Sequence, residues 1–301
     1  MGTLYIVGTP IGNLEDLSPR ALRTLHEVAL IAAEDTRHSR RLLAHFGVAT
    51  PLLSYHEHNQ RGRRGQLMTA LATGDVALIT DAGTPAVSDP GAELVAAALK
   101  AGHMVSPIPG PSALTAAVSA CGLIHGPFLS LGFLPREANP RKRLVVRGAA
   151  TGFPLVIFES AQRVEKLLEE LHGLLGDRPA TVMRELTKIH EEIRFGSIAE
   201  LLGWIRKDSP KGEIVLVIGG GSEIEVKQEE VPSLLRMLAR AGMSVSQAAR
   251  EAATLTGLPR SDLYTLARQM RGNESDGLER ELALPDQDAL QDSLGNEKRP
   301  K

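Results

Sequence analysis

The stretch Val76-Ala-Leu-Ile-Thr-Asp-Ala-Gly-Thr-Pro-Ala-Val-Ser-Asp-Pro-Gly91 runs an apolar segment into an acid, Asp81, then through small and turn-forming residues to Asp89-Pro90. This order predicts a buried strand, a loop and a helix, with Asp89 as the capping carboxylate and Pro90 in the first turn. Asp81 and Gly83 then lie just past the carboxyl end of a strand, where open α/β sheets place their ligands. A quieter reading has Asp81 bonding within its own loop and Gly83 supplying a positive φ. The residues alone leave both open.

Other stretches add proton-transfer and anion-binding chemistry. Glu34-Asp-Thr-Arg-His38 follows an apolar run, His56-Glu-His-Asn59 follows another, and Arg184-Glu-Leu-Thr-Lys188 a third. Carboxylates and imidazoles at such points suit general acid–base work, and the neighbouring arginines suit phosphate. His56 and His58 alternate, but two histidines without a third ligand do not make a metal site, so none is expected. Gly8-Thr-Pro-Ile-Gly-Asn13 and Pro109-Gly-Pro-Ser112 are loops in which glycine would let backbone approach a ligand, and Ser112 opens a helix whose first amides suit a carboxylate. No G-x-G-x-x-G or G-x-x-x-x-G-K-[ST] pattern occurs, which argues against nicotinamide and nucleoside-triphosphate enzymes. Cys121 is the sole cysteine, excluding an intrachain disulfide and a cysteine-based zinc cluster; a packed thiol is expected.

The elements that must position these residues alternate strand and helix. Runs at Thr3–Val7, Ala29–Ala33, Leu52–Tyr55, Val76–Ile79 and Met104–Ile108, separated by helical segments, predict a parallel sheet covered on both faces over residues 1–121. From residue 122 to 220 the rhythm changes. Strands at Phe128–Phe133, Leu155–Phe158, Thr181–Met183, Ile189–Phe195 and Glu213–Ile218 include a pair with no long crossover, which predicts a mixed second sheet. A cleft between the two sheets is the expected ligand site. After a glycine-rich, charged linker, three helical segments in residues 231–271 have helix-turn-helix spacing, and residues 272–301 read as a disordered tail.

A chain of 301 residues can hold more than one core, and 43% hydrophobic with 23% charged residues is ordinary for a globular protein. No apolar run reaches membrane-span length and the opening residues show no signal-peptide pattern, so a cytoplasmic protein without membrane attachment is expected. The net charge of −2 argues against non-specific coating of nucleic acid. It averages over basic clusters at 37–41, 61–64 and 141–147, each of which by itself reads as a solvated helix face.

With those segments laid out, the sequence closely resembles the tetrapyrrole methylase superfamily, and within it the ribosomal RNA small-subunit methyltransferase I family. The resemblance rests on Leu4–Asp16, Ala33–His38, Ser54–Asn59, Thr80–Pro85, Ser88–Gly91, Pro107–Ala113, Gly132–Pro135, Arg184–Glu191 and Lys211–Glu213. It implies a two-domain fold with a helical C-terminal domain, S-adenosylmethionine as cofactor, and methylation of a cytidine ribose 2′-oxygen in 16S ribosomal RNA, within the small subunit. A homodimer is also implied. Cofactor contacts would fall at Pro10, Asp81, Gly83, Thr84, Ser112, Ala113, Leu131, Gly132, Glu185, Leu186, Gly212 and Glu213. RNA contacts would fall at Arg37, His38, Arg40, Arg41, His56, His58, Asn59 and Arg184. Among Glu34, Asp35, His58, Glu185 and Lys188, Glu185 or Asp35 is the expected proton acceptor; the alternative is that Glu185 only orders the cofactor and Asp35 pairs with Arg37. Corrin-pathway relatives end the first loop in glycine-proline-glycine-aspartate where this chain has Pro10-Ile-Gly-Asn13. That departure favours RNA over a tetrapyrrole, the alternative small-molecule substrate. A non-catalytic RNA-binding assembly factor is the other alternative, distinguished by failure to take up the cofactor.

Overall fold

The computed structural model describes residues 2–209, 211–221, 231–240, 243–256 and 258–281. The chain divides into two compact units, Met1–Gly221 and Ser222–Lys301. In the first unit, strands β1 (Thr3–Val7), β2 (Leu30–Ala33), β3 (Leu52–Ser54), β4 (Val76–Ile79) and β5 (Met104–Ile108) form an all-parallel sheet in the order β3-β2-β4-β1-β5. Helices α1 (Pro19–Glu27), α2 (Thr36–His45), α3 (Gln60–Thr73), α4 (Ala92–Lys100) and α5 (Ala113–Ala120) make the crossovers. All four residues of β4 are buried because both faces of the sheet are covered. Leu25, Ile31, Ile79 and Ile108 pack on one face, and Leu4, Leu67, Leu78 and Leu94 on the other.

The second sheet comprises β6 (Leu129–Phe133), β7 (Leu155–Ser160), β8 (Pro179–Arg184), β9 (Glu192–Ser197) and β10 (Glu213–Ile218), in the order β6-β7-β10-β8-β9. Only β6 and β7 run parallel; β7–β10, β10–β8 and β8–β9 are antiparallel, so the sheet is mixed. Helices α6 (Ala138–Ala149), α7 (Ala161–Leu175) and α8 (Ile198–Asp208) belong to this half. Its main core gathers Val145, Leu168, Leu171 and Leu201 around Leu155 and Ile157. A separate cluster sets Ala117 and Cys121, from α5 and its end, against Val156, Met183 and Val217. Because α5 is shared in this way, the two sheets form one unit. Cys121 is a packed thiol, 2% exposed.

The C-terminal unit consists of α9 (Val231–Arg240), α10 (Val245–Thr256) and α11 (Arg260–Glu281), closed over Val231, Leu235, Ala249, Ala252 and Leu263. Ser244 and Gln247 cap α10 reciprocally, the Ser244 amide donating to Oε1 of Gln247 at 2.9 Å. The backbone of α11 continues past 271, the expected end of the helical region, to Glu281, so the start of the expected disordered tail is helical; the rest of that tail, 282–301, lies outside the described residues, as does 222–230 of the linker. Among the described residues no helix is long and apolar enough to cross a membrane.

Two local expectations are corrected. Asp89 does not cap α4: the helix starts at Ala92, Gly91 is its N-cap with φ 142°, and no side chain caps it. A Cβ at Gly91 would lie 2.7 Å from Cδ2 of Leu78, so the turn presses against β4, and its left-handed Ala86 (φ 66°) and Ser88 (φ 64°) carry Asp89 away from the helix end. Gly8 and Gly12 do not open backbone to a ligand. A Cβ on Gly8 would sit 2.9 Å from Cα of Gly110, and one on Gly12 would collide with the Lys188 side chain. These glycines permit loop-on-loop packing. Gly8→Ala should therefore force the loops after β1 and β5 apart and cost about 1–3 kcal/mol of stability by overpacking, measurable by denaturant unfolding.

Candidate active site

The carboxyl ends of the parallel strands converge on a cleft of about 440 Å³, within the usual range for small-molecule sites. The first sheet contributes Glu34 after β2, Asp81–Thr84 after β4, and Ser112 and Ala113 after β5. The second contributes Phe133 at the end of β6, Phe158–Ser160 at the end of β7, and Gly212–Val215 at the start of β10. The last two groups meet because β10 runs antiparallel to β7 with Glu213 opposite Ser160. Phe133 and Phe158 stack edge-on, centroids 5.5 Å apart, as an apolar wall.

The loops are cross-tied. Thr9 and Gly83 exchange backbone hydrogen bonds at 2.9 and 3.0 Å, and the Thr9 hydroxyl donates to the Thr80 carbonyl at 3.0 Å. The Thr84 hydroxyl donates to the Pro111 carbonyl at 3.2 Å. Pro10 is buried in this tie and its neighbour Ile11 faces the cleft. Gly132, at φ 58° beside a register shift in β6, would place a Cβ 2.8 Å from Oγ of Ser88, so it brings the second sheet's edge up to the 86–91 turn. Leu131 is half-buried against the second core, and Leu186 is buried with Ile11 and Val215 beneath the cleft.

Charge in the cleft is negative. Oδ1 of Asp81 accepts from the Asp35 amide at 3.1 Å, and Oε2 of Glu34 accepts from the Asp81 amide at 3.4 Å. Asp89, freed from α4, lines the same cleft and has no hydrogen bond or ion pair among the described residues. Burial, then the charges of Glu34 and Asp81, push its carboxyl up to about 6. Burial likewise raises Glu34, against the opposing pull of the Asp81 amide.

Glu185 and Asp35 are differently placed. Oε1 of Glu185 accepts from the Glu213 amide at 3.0 Å and from Nζ of Lys188 at 2.9 Å, and Lys188 also reaches Glu213 at 3.0 Å. Burial raises the Glu185 carboxyl, but these partners outweigh it and leave it below the ordinary value. Gly212, at φ 99°, lacks the Cβ that would strike this carboxylate. Asp35 caps α2, accepting from the Arg37 amide at 2.8 Å, and pairs with the Arg37 guanidinium, which holds its carboxyl well below the usual range.

The residues expected to meet RNA fall into separate places. Arg37, His38, Arg40 and Arg41 are exposed on α2. His56 and His58, rings 6.0 Å apart, lie after β3, the strand next to β2, where Oδ1 of Asn59 accepts from the His56 amide at 2.9 Å. Arg184 stands on the second sheet, paired with Glu192 at 3.2 Å. Sequence reasoning missed Phe133, Phe158, Glu159 and Ser160 as cleft residues. Their strands were legible, but the antiparallel β7–β10 pairing that brings their ends to the cleft was not.

The Tetrapyrrole (Corrin/Porphyrin) Methylases family matches residues 3–202, a cleft-bearing stretch, and the RsmI C-terminal HTH domain matches residues 225–271. The chain belongs to the tetrapyrrole methylase family. It is 44% identical over 92% of its length to a ribosomal RNA small subunit methyltransferase I of Synechocystis sp., covering all of that protein, and 44% identical over 90% to one of Pseudomonas aeruginosa, covering 98% of it. The fold is similar to that of a diphthine synthase (TM-score 0.58, 16% identity, 72% of this chain and 90% of that one). The tetrapyrrole methylase-like chain is accordingly a methyltransferase, and its methyl donor is S-adenosylmethionine. The cleft fits that cofactor: carboxylates without an ion pair suit a sulfonium cation, glycine at 212 bares main chain, and Phe133 and Phe158 offer an apolar wall.

The elevated Asp89 has a consequence for stability. A carboxyl raised in the fold favours the folded state at low pH, and that contribution is lost as pH climbs through about 6. Asp89→Asn escapes this loss. The variant should be more stable than the parent above pH 7 by on the order of 1–2 kcal/mol, discounted for partial exposure, with the gap closing below pH 4 in thermal melts.

Proposed function

We propose that the chain methylates the 2′-oxygen of a cytidine ribose in 16S ribosomal RNA, acting on the small ribosomal subunit. The observation that carries this reading is the near full-length similarity to proteins named ribosomal RNA small subunit methyltransferase I. It is supported by the neighbourhood of an acidic, cation-seeking cleft and the exposed arginines of α2.

In this reading the cofactor is held by the loops carrying Pro10, Asp81, Gly83, Thr84, Ser112 and Ala113, and by Leu131, Gly132, Leu186, Gly212 and Glu213 from the second sheet. When bound, it supplies an electrophilic methyl group on a positively charged sulfur. Glu34, Asp81 and Asp89, none of them in an ion pair among the described residues, would offer negative charge to that sulfur. Glu185, with Lys188, clamps the Gly212–Glu213 turn, and Asp35 fixes Arg37 at the start of α2. RNA phosphates meet Arg37, Arg40, Arg41 and Arg184, and His38, His56, His58 and Asn59 border the entering nucleotide.

Transfer to a ribose hydroxyl needs an acceptor for its proton. Asp35 and Glu185, the acceptors expected from sequence, would each first have to give up a cationic partner. Asp89 has no such partner and stands near neutrality, so it is the acceptor the geometry favours. The hydroxyl proton would pass to the Asp89 carboxylate as the ribose oxygen takes the methyl group, the electrons of the broken carbon–sulfur bond remaining on a neutral thioether. The C-terminal unit adds affinity for the subunit. A cytoplasmic homodimer completes the reading, with exposed Ile189 and Phe195 at the β9 edge as apolar surface for a second copy.

Incubation with labelled S-adenosylmethionine and small subunits lacking the modification should place label on a cytidine 2′-oxygen. Label on no RNA would refute the reading, while Asp81→Ala should abolish cofactor uptake by calorimetry without unfolding the protein. With Asp89 as acceptor, the methylation rate should rise with pH through about 6 and level off, the base being required ionised. Asp89→Asn should lower kcat by about 10²–10⁴-fold and remove that limb, with cofactor affinity, still served by Glu34 and Asp81, reduced far less than kcat.

A further inference from the structure

Beside the acidic cleft, and sharing Glu159 and Ser160 with its wall, lies a second cavity of about 700 Å³ with the opposite charge. Arg136, Arg141, Arg163 and Lys166 line it, against the single carboxylate of Glu159. Two of these four cations, Arg141 and Arg163, are structural. Arg141 grips Glu170 with two hydrogen bonds, 3.0 and 2.7 Å, and donates to the carbonyls of Pro135 and Arg136, fixing the turn before α6. Arg163 donates to Glu159 at 2.7 Å, neutralising the only acid in the cavity wall. That leaves Arg136 and Lys166, both exposed, whose side chains make no hydrogen bond or ion pair among the described residues.

We infer that this groove is a phosphate-binding track that carries the RNA strand on one side of the target nucleotide, on the second sheet's half of the cleft and opposite the α2 arginines. The inference rests on the RNA reading above and deepens it. A ribose that reaches the cleft drags two phosphates with it, and Glu34, Asp81 and Asp89 repel them. The phosphates must lie outside the cleft but within one nucleotide of it. The groove meets the cleft at a shared pair of residues and presents two uncompensated cations held near a fixed turn, which is the surface a single strand leaving the cleft would need. Gln162 and Ser160 add polar groups along the same wall. Neither Arg136 nor Lys166 contacts the cleft, so they act on substrate affinity and not on the methyl transfer itself.

The test is Arg136→Glu and Lys166→Glu, singly and together, in the full-length protein, with Arg136→Lys as the conservative control. Binding to unmodified small subunits and to protein-free 16S RNA is measured across potassium chloride concentrations, with cofactor affinity by calorimetry as the check on folding. Each charge reversal should weaken RNA binding about three- to tenfold near physiological salt and flatten the slope of log K against log[salt] by about 0.7–0.9. KM for the subunit should rise with kcat little changed, and Arg136→Lys should restore most of the affinity. Unchanged affinity and slope in a protein whose parent binds RNA and methylates it would overturn the groove while sparing the proposed function. An effect seen on whole subunits and absent on protein-free RNA would assign the groove to a ribosomal protein, and would overturn it too. A parent protein that binds no RNA would remove both readings.

Discussion

Three carboxylates, Glu34, Asp81 and Asp89, face one partly desolvated cleft with no ion pair to any of them among the described residues, His56 alone among side chains drawing Glu34 down from beyond contact. Their burial, and then their mutual repulsion, oppose folding, and the elevated Asp89 registers both in that order. The surrounding structure holds them in place regardless. Asp81 is fixed by the Asp35 amide, Glu34 by the Asp81 amide, and Asp89 by a turn that accepts two left-handed non-glycine residues. Backbone strain of this kind persists only where the neighbourhood over-determines it. A site that seeks a cation is thus bought with local stability, and the two sheets supply the surplus.

That surplus depends on how the halves are joined. The helix α5 starts at the cleft with Ser112, covers the second sheet with Ala117, and ends at Cys121, whose carbonyl accepts from the buried Thr181 hydroxyl at 2.9 Å. One short element therefore connects the first sheet's ligand edge to the second sheet's core. On the far wall, the antiparallel pairing of β10 with both β7 and β8 gathers Ser160, Glu213 and Glu185 within one register step. The Glu185–Lys188–Glu213 arrangement then stiffens a turn that glycine at 212 leaves bare.

Much of this was legible in the sequence because local signals agreed. The buried run of β4 ending at Asp81 and the Ser18-Pro19 start of α1 needed no tertiary information. Asp89 shows where such signals fail. Asp-Pro reads as a helix start, but packing of Gly91 on Leu78 shifts the start to Ala92 and releases the carboxylate to the cleft. Gly8 and Gly12 fail for a related reason: a glycine marks close approach without saying of what, and here it is another loop. Glu159 and Ser160 were readable as strand-end residues, yet their place in the cleft follows from an antiparallel register set by residues more than fifty positions away.

The division of charge within the first unit suggests why cofactor and substrate can both be held without competing. An unpaired acidic cleft attracts a cation and repels phosphate, whereas the cations at its borders do the reverse. If the proposed sites hold, each ligand would be directed to its own place by sign before any contact of shape is made. The same carboxylates have little Coulombic hold on a neutral thioether, so the charge that favours uptake of the donor ceases to retain what remains once the methyl group has gone. Selection of ligands and turnover of the site would then follow from one arrangement of charge, with shape complementarity left to choose the nucleotide.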